Sequence, residues 1–436
     1  MNKSIHLILP GCDDTNRGDQ ALIWETAEIA KAAGYDGEYY MLSDEEHSIQ
    51  SAEKGMKNIA YILEHPSTHF RDKKNVKYTK ILKIKWSLKA ICDFLRLEPL
   101  VHPFLRKYIF KLYNKKTQKT LELFEHAESA FVKGGGFLHA YGGLTDTYKI
   151  YYFLYHIRLA LSYGMDVYVM PNSFGPFKAP FVKKMIHNTL KKCKVVMTRE
   201  QISHDVLKEQ CNINSYMFTD IAFHLNRDEA FDAKKMLIEK GVPLGKKRCI
   251  SITMRPYRFD GEAQAEEKYK KYKKSLADFV VWLCQNGFYP VMIEHVFSEQ
   301  EHENDMSCIN DVVHMLPDDL VYSIFSERSL NAEQMKNIYS CFDYIVGTRF
   351  HSVIFSLASE VPAIAISYGG NKGTGIMNDL GLSEFCIPIS EITSKLLIDT
   401  FEKLVCQREH VIALIHQELF TIRKQKENII ELIKDV

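Results

Sequence analysis

A chain of 436 residues, 46% hydrophobic and 25% charged with a net charge of +1, is too long for one ordinary core and too balanced for a disordered or fibrous protein. Its ten cysteines are scattered with no CxxC pair and no paired spacing, which argues against a disulfide framework or structural zinc site and for a reducing compartment. The opening Met1–Pro10 has too short an apolar core for a signal peptide and no apolar run nears membrane-spanning length, so a cytoplasmic protein is expected.

In chain order, β-rich runs alternate with helical ones, the pattern of a doubly wound parallel sheet. Ile5–Leu9 reads as the first strand, Gln20–Ala33 as a helix closed by Gly34, and Glu38–Met41 as the second strand. A basic stretch follows, in which fifteen Lys/Arg between Arg71 and Lys119 face three acids (Asp72, Asp93, Glu98), a local +12. Tyr78, Trp86, Phe94, Tyr108 and Phe110 interleave with these cations. A helical insertion of this kind suits peripheral contact with an anionic membrane surface. A solvated insertion with core-facing aromatics explains it equally well. No recognition motif accompanies the charge, so no nucleic-acid partner is expected.

Strand signals resume at Ala130–Val132, Asp166–Met170, Val195–Thr198 and Ser215–Phe218, with helical stretches at Tyr148–Tyr163 and Phe181–Lys192. A boundary is expected within Leu225–Lys247, giving domains 1–227 and 228–436. The second half repeats the rhythm at Cys249–Met254, Tyr289–Glu294, Tyr344–Val346 and Ala363–Ile366, and ends in amphipathic helices from about Ile392. The fold class is therefore α/β: two Rossmann-like doubly wound domains, expected to face each other across a cleft.

Open α/β sheets bind ligands at the carboxyl ends of their strands, so loops there carry the candidate site. The first loop, Pro10 to Asp19, crowds three aspartates and an arginine at such an end. Asn16 or Asp19 could cap the following helix, and Asp19 could serve as a general base. Gly134-Gly135-Gly136 allows close approach of a ligand or of another backbone. Asn172-Ser173-Phe174-Gly175-Pro176 reads as a rigid loop whose Asn172 and Ser173 could hydrogen-bond a sugar or a phosphate. Arg199 and Asp220, each closing a strand, read as structural partners.

In the second half, Arg255 follows one strand and the Glu294-His295 pair closes another as a hydrogen-bonding wall or acid/base. Gly347-Thr348-Arg349-Phe350-His351 opens an amphipathic segment, Ser352 to Ser359, and places an arginine and a histidine at a helix amino end, where anions are attracted. Lys372 follows the next strand. Arginine forks match carboxylate and phosphate, so Arg255 and Arg349 could clamp both ends of a small dianion. No cluster has metal-ligand spacing, and no metal is expected.

Arg349-Phe350-His351, with Glu360-Val361-Pro362 and the run Ser367-Tyr368 through Lys372-Gly373, resembles the signature of the polysaccharide pyruvyltransferase family. The similarity extends to the Asn16–Asp19 loop, the Gly134–Gly136 turn, the Gly175-Pro176 loop, Arg199 followed by Ser203, and Asp220 followed by Phe223. Thr15 and the Arg71–Lys119 stretch depart from the pattern. The resemblance implies a GT-B-like fold and transfer of pyruvate from phosphoenolpyruvate onto two hydroxyls of a glycan or lipid-linked saccharide in a surface-polysaccharide precursor. The product is a cyclic ketal, with release of phosphate. It implies that Arg349 and His351 lie at the phosphoenolpyruvate, joined by Arg255.

The residues suit that chemistry: a dianionic three-carbon donor wants several cations and no redox cofactor. His351 would act as general acid or phosphate anchor, Asp19 as base from the opposing domain, with Lys372, Asn16, Gly135, Gly136, Asn172, Ser173 and Glu294 as binding groups. A GT-B glycosyltransferase using a nucleotide sugar fits the same loops and is the alternative. A protein of this kind would act in the cytoplasm or at the inner membrane face, and a homo-oligomer is left open.

Overall fold

The structure, a computed structural model, describes residues 3–11, 13–43, 48–64, 80–259, 262–369 and 372–436. The 71–79 part of the basic stretch and residues 370–371 of the glycine loop lie outside them. Two compact units emerge from the contacts. The first comprises Met1–Asp14, Leu22–Ile221 and Gln425–Val436, and the second Thr15–Ala21 and Ala222–Lys424. The continuous ranges 1–227 and 228–436 therefore differ from the compact units in three places, the simplest being 222–227, which fall in the second unit. Residues 15–21 belong with the second unit because their hydrogen bonds go there, as described below. The last turns of the terminal helix Arg408–Lys434 belong with the first: Gln425 accepts the Thr219 N–H at 2.6 Å and Lys426 pairs with Glu25 at 2.9 Å.

The first unit holds strands Ile5–Leu9 (β1), Glu38–Leu42 (β2), Met56–Ile59 (β3), Ser129–Val132 (β4), Gly135–Ala140 (β5), Asp166–Phe177 (β6), Val195–Thr198 (β7) and Tyr216–Met217 (β8). They pair in the order β3-β2-β1-β4-β6-β7-β8, with β5 also on β6, and every pairing is parallel. Runs such as Leu7-Ile8-Leu9 are continuous rather than alternating because a parallel sheet is covered on both faces. Asn172 to Pro176, expected as a loop, is instead the second half of β6. It pairs with β5 through register shifts, one of which spans Gly175-Pro176, and Asn172 also pairs with Thr198 of β7.

The basic insertion is helical over Lys80–Leu97, Pro103–Ile109 and Lys115–His126. Leu97, Leu100, Leu121 and Phe124 bury into the core of the unit, and Tyr155 donates to the Leu97 carbonyl at 3.1 Å.

His156, on the helix Leu144–Ser162, is fully inside this core and accepts the Ile62 N–H at 3.2 Å. Burial lowers its pKa to about 3. An unfolded histidine titrates near 6.5, so the unfolded chain takes up protons that the native one refuses. This contribution to stability is complete above pH 6.5 and falls by about 1.4 kcal/mol per pH unit on acidification towards the folded value. His156→Gln should flatten the dependence of the unfolding midpoint on pH between 6.5 and 4.5, and an unaltered slope in thermal melts would contradict it.

The second unit holds Arg248–Thr253 (β9), Phe288–Ile293 (β10), Ser323–Phe325 (β11), Tyr344–Gly347 (β12), Ala363–Ser367 (β13) and Cys386–Pro388 (β14). Their order, β11-β10-β9-β12-β13-β14, is the 3-2-1-4-5-6 order of a dinucleotide-binding sheet, again wholly parallel. Short strands β3, β11 and β14 lie at sheet edges and carry too few apolar residues to announce themselves in the sequence. The helix Phe350–Leu357, expected to be amphipathic, is buried along its whole length. Its Ser352 and Ser356 satisfy their hydroxyls on backbone carbonyls of the preceding turn, so polar residues here mark internal bonds and not a solvent face.

Candidate active site

Strands β9 and β12 are neighbours whose onward connections diverge, to β10 on one side and β13 on the other. A crevice outside the carboxyl ends of such a pair is the general ligand position of open α/β sheets. Arg255 leaves β9 there, and Arg349 and His351 leave β12.

The two arginines converge on one carboxylate. Arg255 Nη2 lies 3.3 and 3.2 Å from the Glu303 oxygens, and Arg349 Nη1 lies 3.6 Å from Glu303 Oε2. Arg349 is further held by Asp305, whose Oδ1 accepts from Nε at 2.7 Å, and by the Glu303 carbonyl, which accepts from Nη2 at 2.6 Å. Asp305 Oδ2 takes the backbone N–H groups of His295 and Val296. Burial pushes the Asp305 carboxyl up, against the pull of Arg349. Glu303 is also pushed up by burial, but Arg255 and then Arg349 prevail and hold it below its ordinary value. Arg255 stacks on Tyr368 at 4.4 Å, and Tyr368 and Glu303 keep its pKa high in spite of burial.

His351, in the first turn of the buried helix, lies against Gly18: a Cβ built on Gly18 would fall well under 3.0 Å from the imidazole. Gly18 is placed there by its neighbours. Arg17, fully buried, donates to the carbonyls of Leu330, His295 and Glu327 at 3.3, 3.2 and 2.9 Å and stacks on Phe297 at 4.1 Å. Asn16 bridges to Val296, and Gln20 accepts the Ala332 N–H at 2.7 Å. Burial pulls the Arg17 pKa down to about 10, which leaves the guanidinium charged. Asp19 is thus fixed beside the glycine that His351 touches and belongs to the same compact unit. It is not a carboxylate supplied by the other one, because the Arg17 clamp ties its loop to the 295–297 and 327–332 segments.

Asn16 caps the helix Arg17–Ala32, its Oδ1 accepting the Gly18 N–H at 3.1 Å and its Nδ2 donating to Asp19 at 2.8 Å. Its side chain therefore orders the loop.

His295 is buried, bonded to the Tyr339 hydroxyl at 3.0 Å, and held far below its ordinary pKa by burial and then by Arg17, Arg349 and Lys372. Lys372 opens the helix Lys372–Asp379 with its ammonium 5.8 Å from the Phe350 ring centre. Glu294, expected to bind substrate, is instead held by Arg328 (3.2 and 2.9 Å) and the Ser326 hydroxyl (2.6 Å). Those three bonds occupy both of its oxygens.

The candidates of the first unit are engaged within it. Ser173 donates to Glu200 at 2.8 Å and accepts from Arg199 Nε at 2.7 Å, and Arg199 pairs with Asp220, all buried. Asn172 donates to the carbonyls of Lys133 and Met170 at 2.6 and 3.3 Å. Both therefore brace the bent strand β6 and are not presented to a ligand. Gly135 has a φ of 152°, and a side chain there would press on Phe137. The Gly136 carbonyl bonds His139, whose other ring nitrogen meets Lys149 at 2.9 Å.

Sequence reasoning overlooked Glu303 and Asp305. They flank Asn304, which caps the helix Asp305–Val313, and acids at a helix start ordinarily serve the helix dipole in water. Among the described residues no group of three or more His, Cys, Asp or Glu is placed to hold a metal ion.

Among solved structures the chain is similar to Anabaena Alr3699/HepE in complex with UDP-glucose (9% identity, 99% of this chain and 98% of that one, TM-score 0.57). It is also similar to UDP-GlcNAc 2-epimerase from Neisseria meningitidis bound to UDP-GlcNAc (10%, 99% and 100%, 0.51) and to alpha,alpha-trehalose 6-phosphate synthase from Burkholderia multivorans (10%, 100% and 99%, 0.53). Likenesses this distant concern the fold alone: two Rossmann-like units in one chain, the GT-B class. The chain belongs to the polysaccharide pyruvyl transferase family, whose sequence model matches residues 16–370, from the Asn16 cap to the loop after β13. It is an enzyme of that class, and its acceptor is a polysaccharide.

Proposed function

We propose that the enzyme takes pyruvate from phosphoenolpyruvate and sets it as a cyclic ketal on two hydroxyls of a surface-polysaccharide precursor. The observation that carries this reading is the convergence of Arg255 and Arg349 on the Glu303 carboxylate at the β9–β12 switch point. Two guanidinium groups that share one internal carboxylate are spaced to share one from a ligand, and phosphoenolpyruvate brings a carboxylate and a phosphate.

In the reaction, C3 of the donor takes a proton, assigned to His351, and the first sugar hydroxyl bonds to the oxocarbenium-like C2. The second hydroxyl then bonds to C2 as the C2–O bond to phosphate breaks. The two hydroxyl protons leave, one passing to Asp19 and back to the acid, the other to phosphate or solvent. Charge moves from carboxylate and phosphate through C2, within reach of Arg255, Arg349 and Lys372. The chemistry calls for no redox cofactor and no metal, and it belongs in the cytoplasm or at the inner membrane face, where a lipid-linked acceptor is presented.

Incubation with phosphoenolpyruvate and lipid-linked saccharides should release phosphate and add a pyruvate ketal to the glycan by mass spectrometry. Turnover of a nucleotide sugar without phosphoenolpyruvate would replace this reading by glycosyl transfer. Glu303→Gln removes the internal competitor and should tighten donor binding by about threefold to tenfold, tenfold being 1.4 kcal/mol. A weaker donor affinity in calorimetry would mean that Glu303 orders the arginines and does not mark the donor position.

A further inference from the structure

The helix Lys80–Leu97 carries apolar side chains on two opposite faces. At about 100° per residue, Leu82, Trp86, Ala90, Asp93 and Leu97 share one face, and it is the face turned inward, with Asp93 and Leu97 buried. Ile81, Ile84, Leu88, Ile91 and Leu95 fall on the far side, and they are 57 to 68% exposed. An unbroken aliphatic stripe on the outside of a helix already anchored by its inside is not explained by the core of this unit. Later in the same insertion Phe104, Tyr108 and Leu112 are also exposed, at 73, 66 and 81%.

Charge decides what covers it. Between Lys80 and Lys119 there are eleven Lys/Arg and two acids, a net +9. Both acids are already neutralised, Asp93 by Lys89 at 2.5 Å and Glu98 by Arg158 through Nη1 at 3.0 Å. Lys107, Lys111, Lys115, Lys116 and Lys119 are exposed. Two copies meeting through this basic segment would oppose cations to cations, and its exposed side chains are mainly aliphatic (Ile81, Ile84, Leu88, Ile91, Leu95 and Leu112 against Phe104 and Tyr108), which offers single-stranded nucleic acid little to stack on. An anionic bilayer answers both features, since aliphatic side chains enter the acyl boundary while lysines remain among acidic headgroups. A groove of about 690 Å³ beside the helix has a mixed lining, with Phe94, Tyr151 and Met185 next to Glu98, Lys191 and Lys192. No helix among the described residues is long and apolar enough to cross a membrane, so the helix would lie on the surface.

We infer that the outer face of Lys80–Leu97, with the lysines of 107–119, is a docking surface for an anionic lipid bilayer. The inference is independent of the donor assignment, because vesicle binding is read without any substrate. In flotation, the full chain should bind vesicles of phosphatidylglycerol and phosphatidylcholine at least about tenfold more than vesicles of phosphatidylcholine alone. The Ile84→Ser, Leu88→Ser, Ile91→Ser triple variant alters only exposed positions and should melt like wild type while losing about tenfold in vesicle binding, each lost apolar anchor weakening insertion. Lys107→Gln with Lys111→Gln, Lys115→Gln and Lys116→Gln should lose a similar factor by a separate route.

Failure of the wild type to float with anionic vesicles overturns the inference. So does full vesicle binding by the serine variant, a concentration-dependent dimer that the serine variant abolishes, or retention of RNA without retention on lipid.

Discussion

Replacing Arg349 with alanine should destabilise the second unit by about 3–5 kcal/mol and weaken phosphoenolpyruvate binding on the order of 100-fold. The two effects have different origins. Asp305 has no exposed surface, and its carboxylate leans on Arg349 at 2.7 Å; removal of the guanidinium strands a buried charge. The donor effect arises at Nη1, whose nearest acid is Glu303 at 3.6 Å and which is the nitrogen turned to the shared carboxylate.

A second substitution separates the effects. Arg349→Ala combined with Asp305→Ala removes both partners of the buried pair and should restore most of the stability, as replacement of whole pairs commonly does. Donor affinity should stay low. Urea midpoints and calorimetric titration with phosphoenolpyruvate read the two quantities independently. Unchanged donor affinity in the single variant removes Arg349 from the donor site, and recovery of affinity in the double variant does the same.

Much of the sheet framework was legible because its pattern is local. Ile5–Leu9, Tyr344–Gly347 and Ala363–Ser367 are short apolar runs bounded by turn residues, and two-sided burial makes such runs continuous. The glycine and proline of Gly175-Pro176 misled, since they accompany a register shift between β6 and β5 and do not end the strand. What surrounds Arg349 was not legible. Glu303 and Asp305 lie 46 and 44 residues before it, and nothing in a solvated-looking acid-rich turn announces a buried partner. The same holds for Ser173 and Glu294. Each reads in the sequence as standing at a strand end, as a ligand-binding residue would, and only the fold reveals the arginine already bonded to it. Position along a sheet edge can thus be read from one sequence, but not whether a polar group faces a ligand or a neighbour. That depends on chain segments that meet only on folding.

Gly18 makes the second large expectation unusually specific. His351→Ala should lower kcat by about 10²–10⁴ with little change in donor binding, the usual size of a general acid's contribution. Gly18→Ala removes no reactive group, yet its methyl would press into the imidazole. The loop cannot retreat, because Arg17 holds it by three carbonyls and Gln20 by the Ala332 N–H. The imidazole must therefore turn, and kcat should fall nearly as far as in His351→Ala. In a His351→Ala background the ring is gone, although the retained Cβ still lies 2.7 Å from the added methyl, so adding Gly18→Ala should lower the melting temperature but cost almost nothing further in kcat. Groups that act as a unit give such non-additive cycles. Steady-state kinetics on the four proteins, with melting temperatures to confirm folding, provide the check. Near-normal turnover in Gly18→Ala, or losses that multiply in the double variant, would show that the imidazole does not act from the position it holds against Gly18.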